Sequence, residues 1–261
     1  MMNKTSNPIG IFDSGIGGTS ILKEIHQLLP HEDIIYLADS KNAPYGYKTK
    51  EEITQLCIKN TELLISKGCK IIVIACNTAT TNSIEYLREN YSIPFIGIEP
   101  AIKPAALNSK NKTIGILATK GTLSSELFTK TAELFTKDTE VVEVIGAGLV
   151  EAIEAGKLNQ ESTKKLLETL IQPMLDKNID YLVLGCSHYP YLIPLLQEIL
   201  PKHIIIIDSG LAVARQTRFI LKSIGLLNKE QKKASIDFYT NRSIDILQKF
   251  VPNYAVQFLN F

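Results

Sequence analysis

The sequence predicts an α/β protein of two related, doubly wound domains with mostly parallel sheets. Eight short apolar runs, rich in isoleucine and valine, alternate with longer amphipathic stretches. Near-continuous apolar runs are typical of parallel strands that helices cover on both faces, and the alternation is typical of doubly wound sheets. The length of 261 residues is enough for one large domain or for two domains of ordinary size.

Each secondary-structure element follows from its local pattern. The predicted strands cover residues 9–12, 34–38, 71–75, 95–98, 114–118, 141–145, 181–185 and 204–208. The predicted helices cover residues 51–67, 80–90, 124–137, 160–177 and 191–200. Pro173 is expected to kink or break the fourth of these helices. Pro194 lies in the first turn of the last helix, where proline is tolerated.

An internal similarity supports the division into two domains. The segment IGIFDSGIGGTS at 9–20 resembles IGILATKGTLSS at 114–125, and each is followed at nearly equal spacing by a cysteine, Cys76 or Cys186. Two similarities in the same order indicate related units.

The positions of the similar segments suggest where the two domains meet. The first domain is expected to comprise residues 1–98 together with 211–261, and the second to comprise residues 99–210. The tail is expected to fold back onto the first domain with a short strand within 234–240.

Composition and charge exclude several classes of function. The formal net charge is +1, which gives no overall attraction to nucleic acid or to an anionic membrane. No apolar run approaches the roughly 18–20 residues that span a bilayer, and the first residues lack an apolar signal core. A cytoplasmic protein is therefore expected. The four cysteines and four histidines lack the spacing of a zinc site, so no metal is expected.

Two cysteines, Cys76 and Cys186, stand at the carboxyl ends of predicted strands, where parallel sheets bind ligands. Polar residues follow each of them, in the segments ACNTA and GCSHYP. A predicted helix also follows each cysteine, and a helix N-terminus is expected to lower the pKa of a thiol toward neutrality. Cys57 and Cys69 have no such neighbours and are interpreted as small buried apolar residues.

The pair of cysteines favours inversion of a stereocentre. That reaction needs a base on one face of a carbon atom and an acid on the other, and the two exchange roles in the reverse direction. A cysteine hydrolase needs only one nucleophile with a base, such as Cys186 with His188, and a disulfide oxidoreductase places its pair in one C-x-x-C turn. The hydrolase and a non-catalytic ligand-binding protein remain alternatives.

Other candidate residues lie near the same strand ends. Asp13 follows the first strand, where it could cap a helix, bind a substrate ammonium group or orient Cys76. The glycines of DSGIGG, at 13–18, lack the spacing of a nucleotide-binding loop and are expected to let the backbone approach a small ligand. Glu151 is expected in the first turn of a helix, where the dipole favours a carboxylate. Further candidates, polar groups in turns or directly behind the cysteines, are Ser14, Tyr45, Gly46, Asn77, Thr78, Ser187 and His188.

The ordered segments GIFDSGIGG, PYG, ACNTA, EPAIKPA and GCSHYP resemble the glutamate racemases of the cofactor-independent aspartate/glutamate racemase superfamily. The resemblance extends from about residue 9 to Arg215. It implies two pseudo-symmetric α/β domains with the active site in the cleft between them. It also implies a homodimer that interconverts L- and D-glutamate without metal or pyridoxal phosphate, and a supply of D-glutamate for peptidoglycan.

The same resemblance implies a role for each site residue. Cys76 is expected to deprotonate D-glutamate and Cys186 to deprotonate L-glutamate, with Glu151 as a helper carboxylate. Asp13 and His188 are expected to assist the cysteines. The expected substrate contacts are Asp13, Ser14, Tyr45, Gly46, Asn77, Thr78, Ser187 and His188. An aspartate racemase is the alternative within the superfamily, but its members more often carry a carboxylate at the position of His188.

Overall fold

The computed structural model describes residues 4–231 and 233–261, which form two sheets whose strands are all parallel. In chain order the strands are β1 (Ile9–Asp13), β2 (Ile34–Ala38), β3 (Ile71–Ile74), β4 (Phe95–Gly97), β5 (Thr113–Ala118), β6 (Glu140–Ile145), β7 (Tyr181–Gly185), β8 (Ile205–Ile207), β9 (Ile236–Thr240) and β10 (Val256–Phe258). One sheet has the order β10-β9-β2-β1-β3-β4 and the other β6-β5-β7-β8. The predicted α/β class with parallel sheets is confirmed.

The four strands β2-β1-β3-β4 have the same order as β6-β5-β7-β8. The pairing also agrees, since β1 begins opposite β3 at Ile9↔Ile71 and β5 meets β7 at Ile114↔Tyr181. Cys76 therefore follows a strand in the first sheet that is equivalent to the strand before Cys186 in the second. This equivalence is the structural counterpart of the similarity between the two halves of the sequence.

The tail completes the larger sheet. Strand β9 pairs with β2 from Ile34↔Ile236, and β10 pairs with β9. The strand predicted within residues 234–240 is confirmed, because it coincides with β9. The domain limits near residues 99 and 211 stay predictions.

Helices connect the strands and cover both sheets. Their bounds are α1 (Thr19–Leu28), α2 (Lys50–Ser66), α3 (Asn77–Asn90), α4 (Ile102–Asn108), α5 (Lys120–Leu123), α6 (Glu126–Phe135), α7 (Leu149–Glu154), α8 (Glu161–Asp176), α9 (Ile193–Ile199), α10 (Gly210–Ser223) and α11 (Ile244–Phe250). Short 3₁₀ helices lie at Lys4–Ser6, Tyr45–Tyr47 and Tyr189–Leu192. Within residues 4–231 and 233–261 no helix has the length and apolar character needed to cross a membrane.

Two proline predictions have different outcomes. Helix α8 continues through Pro173 to Asp176, so a break there is wrong, while a kink stays a prediction. The buried side chains of Leu167, Ile171 and Met174 pack this helix into the core, and such packing outweighs the local cost of one proline. Pro194 lies in the first turn of α9, as predicted.

Candidate active site

The carboxyl ends of the two sheets face one another, and the buried polar region between them is called the cleft. Ser187, beyond β7, donates a hydrogen bond from its hydroxyl to Asp13 Oδ1 at the end of β1, with a distance of 2.9 Å. A second link joins the hydroxyls of Thr78 and Thr119 at 2.7 Å. The two half-sites predicted from the cysteine motifs therefore meet in space, and all of the groups in these two contacts are buried or partly buried.

Cys76 is the N-cap residue of α3, and its sulfur accepts a hydrogen bond from the amide of Ala79 at 3.4 Å. This cap makes the helix begin at Asn77, three residues before the predicted start. The sulfur also lies 3.6 Å from the hydroxyl oxygen of Ser14. The first cysteine is therefore fixed between the start of one helix and the end of β1.

The environment of Cys76 favours the thiol. Burial raises its pKa well above the ordinary value, and the negative charge of Asp13 raises it further. The amide of Ala79 and the hydroxyl of Ser14 oppose these effects only in part. The expectation that the helix N-terminus lowers this pKa is therefore wrong for Cys76, because desolvation and a neighbouring carboxylate act more strongly than the helix.

Cys186 lies beside an imidazole. Its sulfur is 3.8 Å from His188 Nδ1, and His188 Nε2 is 2.7 Å from Glu154 Oε1. Burial alone would lower the pKa of His188, but the hydrogen bonds with Cys186 and Glu154 and the charges of Cys186 and Asp13 raise it well above its ordinary value. These contacts favour the charged form of His188, whose Nδ1 faces the sulfur of Cys186.

The carboxylate that contacts His188 belongs to Glu154, whereas the sequence motifs point to Glu151. Both residues lie on α7, but Glu151 is exposed. It lines a cavity of about 420 Å³ together with Pro44 and Arg242. The spacing of three residues puts the two carboxylates on one face of a helix, so the segment GLVEAIEAG at 148–156 makes Glu154 as good a candidate as Glu151.

The glycine-rich segment after β1 makes room for side chains of the second half of the chain. A Cβ atom at Gly15 would lie 1.8 Å from Glu154 Oε1, and one at Gly17 would lie 2.3 Å from His188 Nδ1. Such contacts are far shorter than van der Waals distances, so both positions require glycine while Glu154 and His188 are in place. The close approach expected for a small ligand is thus made here by protein side chains.

Further hydrogen bonds join this glycine-rich segment to the opposite half. The amide of Ile16 donates to Glu154 Oε1 at 2.7 Å, and the hydroxyl of Ser20 donates to the carbonyl of Ser187 at 2.9 Å. The hydroxyls of Thr19 and Tyr191 are 2.5 Å apart. The first strand and its loop therefore position the residues that surround Cys186.

A cluster of three threonine hydroxyls lies near the Cys76 end of the cleft. Thr78, Thr119 and Thr122 are linked by distances of 2.7, 3.2 and 3.0 Å. Thr119 and Thr122 were not among the predicted site residues. The internal similarity contained the signal, because it aligns Thr119 with Ser14.

Asn77 is buried directly behind Cys76, at the start of α3. Both polar atoms of its side chain are buried and have no hydrogen-bond partner among residues 4–231 and 233–261. A buried amide without partners is costly. This side chain therefore offers both a donor and an acceptor to a polar ligand.

The PYG turn contributes its backbone to the cleft and its tyrosine ring to the core. Tyr45 is buried, and its hydroxyl donates a hydrogen bond to Asp39. Gly46 faces the second half, since a Cβ there would lie 3.1 Å from Thr119 Cβ. Of these two predicted substrate contacts, Gly46 lies at the cleft, while the Tyr45 hydroxyl is occupied elsewhere.

Within the part of the chain that the structure describes, no group of three or more histidine, cysteine or acidic side chains could hold a metal ion. The chemical groups of the cleft are two sulfurs, an imidazole paired with a carboxylate, and a set of hydroxyl and amide groups. This set is suited to moving protons and to binding a small polar molecule.

Comparison with known proteins agrees with this arrangement. The family model of the Asp/Glu/hydantoin racemases matches residues 9–217. The chain belongs to this racemase family. The resemblance inferred from its motifs is confirmed, and so is the prediction of an isomerase of the racemase class.

Individual racemases resemble the chain over nearly its whole length. A glutamate racemase of Herpetosiphon aurantiacus is 44% identical over 234 residues, which cover 90% of this chain and 92% of the relative. A glutamate racemase of Ectopseudomonas mendocina is 43% identical over 252 residues, covering 96% and 95%.

Solved structures show the same fold. A Bacillus anthracis glutamate racemase superimposes with a TM-score of 0.87 at 30% identity, covering 98% of this chain and 97% of the other. The Escherichia coli glutamate racemase, solved in complex with L-glutamate and the activator UDP-MurNAc-Ala, gives a TM-score of 0.86 at 30% identity and covers 97% of both chains. The two-domain racemase architecture is therefore shared.

Proposed function

We propose that this chain interconverts L- and D-glutamate by transferring protons to and from Cα with Cys76 and Cys186. The observation that carries the proposal is the equivalence of the two cysteines. Each follows the equivalent strand in two sets of four strands with the same order, and the two strand ends face one another. A carbon atom held between them has one sulfur on each face, as inversion requires.

The surroundings of the two sulfurs support different roles in the forward reaction from L-glutamate. Cys186 is proposed as the base beside the imidazole of His188, and Cys76 as the acid, because burial and Asp13 hold the pKa of the Cys76 thiol high. One sulfur then serves as the base and the other as the acid.

The proton transfers balance in both directions. From L-glutamate, Cys186 takes the Cα proton, the electron pair of the broken C–H bond remains on the substrate, and Cys76 donates its own proton to the opposite face. The reverse reaction begins with Cys76 as the base. The amide of Asn77, with no partner in the described chain, supports contact with a substrate carboxylate, and Ser14, Thr78, Ser187 and Gly46 surround the same cleft.

Glu154 is proposed as a positioning residue for His188. A carboxylate on Nε2 holds the imidazole in place and maintains its charge, and Nδ1 then faces Cys186. This assignment replaces Glu151, which does not contact His188. No cofactor takes part in the proposed steps.

Glutamate is favoured over aspartate as the substrate. The relatives that are 43–44% identical over at least 90% of this chain are glutamate racemases. An aspartate racemase of Picrophilus torridus is 22% identical with a TM-score of 0.58, a similarity that extends to the fold alone. We further propose, from the family resemblance, a cytoplasmic homodimer that supplies D-glutamate for peptidoglycan. Rescue of a bacterial strain that requires D-glutamate would test that role.

Alanine variants of the two cysteines test the mechanism. Cys76→Ala and Cys186→Ala are each expected to lower racemisation of L- and D-glutamate by about 10³-fold or more, because each removes one of the two groups that exchange the proton. Circular dichroism at a single wavelength follows the reaction in both directions. Cys57→Ala is the matched control, because Cys57 is also buried but lies outside the cleft.

The same assay separates the alternatives. If both variants racemise at the parental rate, the two-cysteine mechanism is wrong. Faster turnover of L-aspartate than of L-glutamate by the parent would overturn the substrate assignment. A parent chain without activity on either amino acid would favour a ligand-binding protein.

A further inference from the structure

The buried carboxylate of Asp39 forms hydrogen bonds that hold the PYG turn in place. Asp39 follows β2, and its amide donates to the carbonyl of Asp13 at 3.0 Å, so the end of β2 is fixed beside the active-site strand. The Asp39 carboxylate accepts hydrogen bonds from the Tyr45 hydroxyl and, at 2.8 Å, from Asn42 Nδ2. The Tyr45 hydroxyl also accepts a hydrogen bond from Asn60 Nδ2 at 3.3 Å.

A third donor to this carboxylate comes from the tail of the chain. Asn241 directly follows β9 and is buried. Its Nδ2 donates to Asp39 Oδ1 at 2.5 Å, and its Oδ1 accepts from the amide of Lys41 at 2.9 Å. One side chain thus holds both the carboxylate and the backbone that leads into the turn.

Asn241 lies outside the segment that the racemase family model matches, which ends at residue 217. It also lies outside the sequence motifs from which the site was predicted. Its link to the cleft passes through buried groups. Asn241 bonds Asp39, Asp39 bonds Tyr45, and the next residue, Gly46, faces Thr119 and Gly121 of the second half.

The chemistry of this linkage makes it sensitive to the loss of one donor. Burial raises the pKa of Asp39, and the hydrogen bonds from Tyr45, Asn241 and Asn42 oppose that effect. A buried carboxylate that loses a donor is poorly compensated, and the groups around it rearrange to replace the missing hydrogen bond. The Tyr45 hydroxyl shares this carboxylate, so such a rearrangement moves the turn.

We propose that Asn241 is a positioning residue for the substrate cleft, acting through Asp39 and Tyr45 on the backbone at Gly46. The proposal rests on the proposed function, because it takes the PYG turn as part of the glutamate site. The tail strand β9 then has a role in catalysis as well as in completing the sheet.

Asn241→Ala tests this role against a purely structural one. We expect the KM for both enantiomers of glutamate to rise about tenfold, the effect of losing one hydrogen bond to a charged group, while kcat stays within about twofold. A merely structural role would lower the fraction of folded protein, and so kcat, at constant KM. Asn253→Ala, an exposed asparagine of the same tail, is the matched control and should leave both constants unchanged.

A double-mutant cycle with Tyr45→Phe provides the second readout. Because both side chains act on the Asp39 carboxylate, we expect the KM increase of the double variant to be smaller than the product of the two single increases. If Asn241→Ala does not fold, Asn241→Leu takes its place, since it nearly keeps the side-chain volume and removes the donor to Asp39.

An unchanged KM in the Asn241 variant, or increases that multiply in the double variant, would overturn the proposal. An inactive parent chain would instead show that the proposed function itself is wrong, so the two failures are distinguishable.

Discussion

The half of the site around Cys76 and the half around Cys186 share a backbone but differ in chemistry. Both cysteines follow equivalent strands in two sets of four strands that have the same order. Cys76 lies beside the hydroxyl of Ser14, and the negative charge of Asp13 raises its pKa, whereas Cys186 lies beside His188. The residue two positions after the cysteine is Thr78 in one half and His188 in the other.

This difference shows how a duplicated fold can perform an asymmetric step. The repeated strands supply the geometry, with one sulfur from each half of the cleft. The residues around the cysteines supply the charge, since His188 lies beside Cys186 whereas burial and Asp13 hold the pKa of Cys76 high. A chain with identical neighbours in both halves would lack this difference between its two sulfurs.

The largest effect on this asymmetry is expected from His188→Asn. The variant removes the charge beside Cys186, and we expect kcat/KM to fall about 10²-fold or more, the usual contribution of a group that assists proton transfer. The two enantiomers have equal free energies in water, so kcat/KM must fall by the same factor in both directions. Steady-state rates from L- and from D-glutamate measure this loss.

Thr78→Val is the matched change in the other half. Thr78 takes part in the threonine hydroxyl cluster and carries no charge, so a loss of less than about tenfold is expected. Equal losses from the two variants would show that charge at this position does not distinguish the halves.

An effect smaller than that of His188→Asn is expected from Glu154→Gln. The hydrogen bond with Glu154 helps to raise the pKa of His188, so its loss lowers that pKa. His188 carries its charge below its folded pKa and loses it as the pH rises, so the alkaline loss of activity should begin at a lower pH in the variant. We expect kcat/KM at neutral pH to fall about tenfold.

NMR titration of the imidazole measures the change in the His188 pKa, and the pH profile of kcat/KM measures the change in the alkaline loss of activity. Glu151→Gln, on the same helix but exposed, should leave the His188 pKa unchanged. A His188 pKa that responds to Glu151→Gln and not to Glu154→Gln would return the helper role to Glu151.

The fold was predictable because each strand is a run of consecutive apolar residues that can be recognised in the sequence. Near-continuous isoleucine and valine runs specify buried parallel strands, and the chain positions of Cys76 and Cys186 at strand ends follow directly. The start of α3 was placed three residues late because a cysteine is an unusual N-cap residue. The break at Pro173 was wrong because packing of α8 on the core decided the outcome.

The remaining site residues depend on contacts between distant segments. Glu154 reaches His188 across 34 positions, and Asn241 reaches Asp39 across 202. No local pattern distinguishes Glu154 from Glu151, since both lie on one face of a short helix. The role of glycine at Gly15 and Gly17 also becomes evident only when the opposing side chains are placed.

The most direct test of two opposed sulfurs is the position of deuterium after a partial reaction of L-glutamate in D₂O. With two bases, the D-glutamate formed in the first turnovers carries solvent deuterium at Cα. The remaining L-glutamate keeps its protium, because the proton that Cys186 removes stays on its sulfur and returns to the same face when the step reverses. Our account predicts this asymmetric labelling. Deuterium appearing equally in both enantiomers from the start, or protium retained in the product, would show that a single base serves both faces and would contradict it.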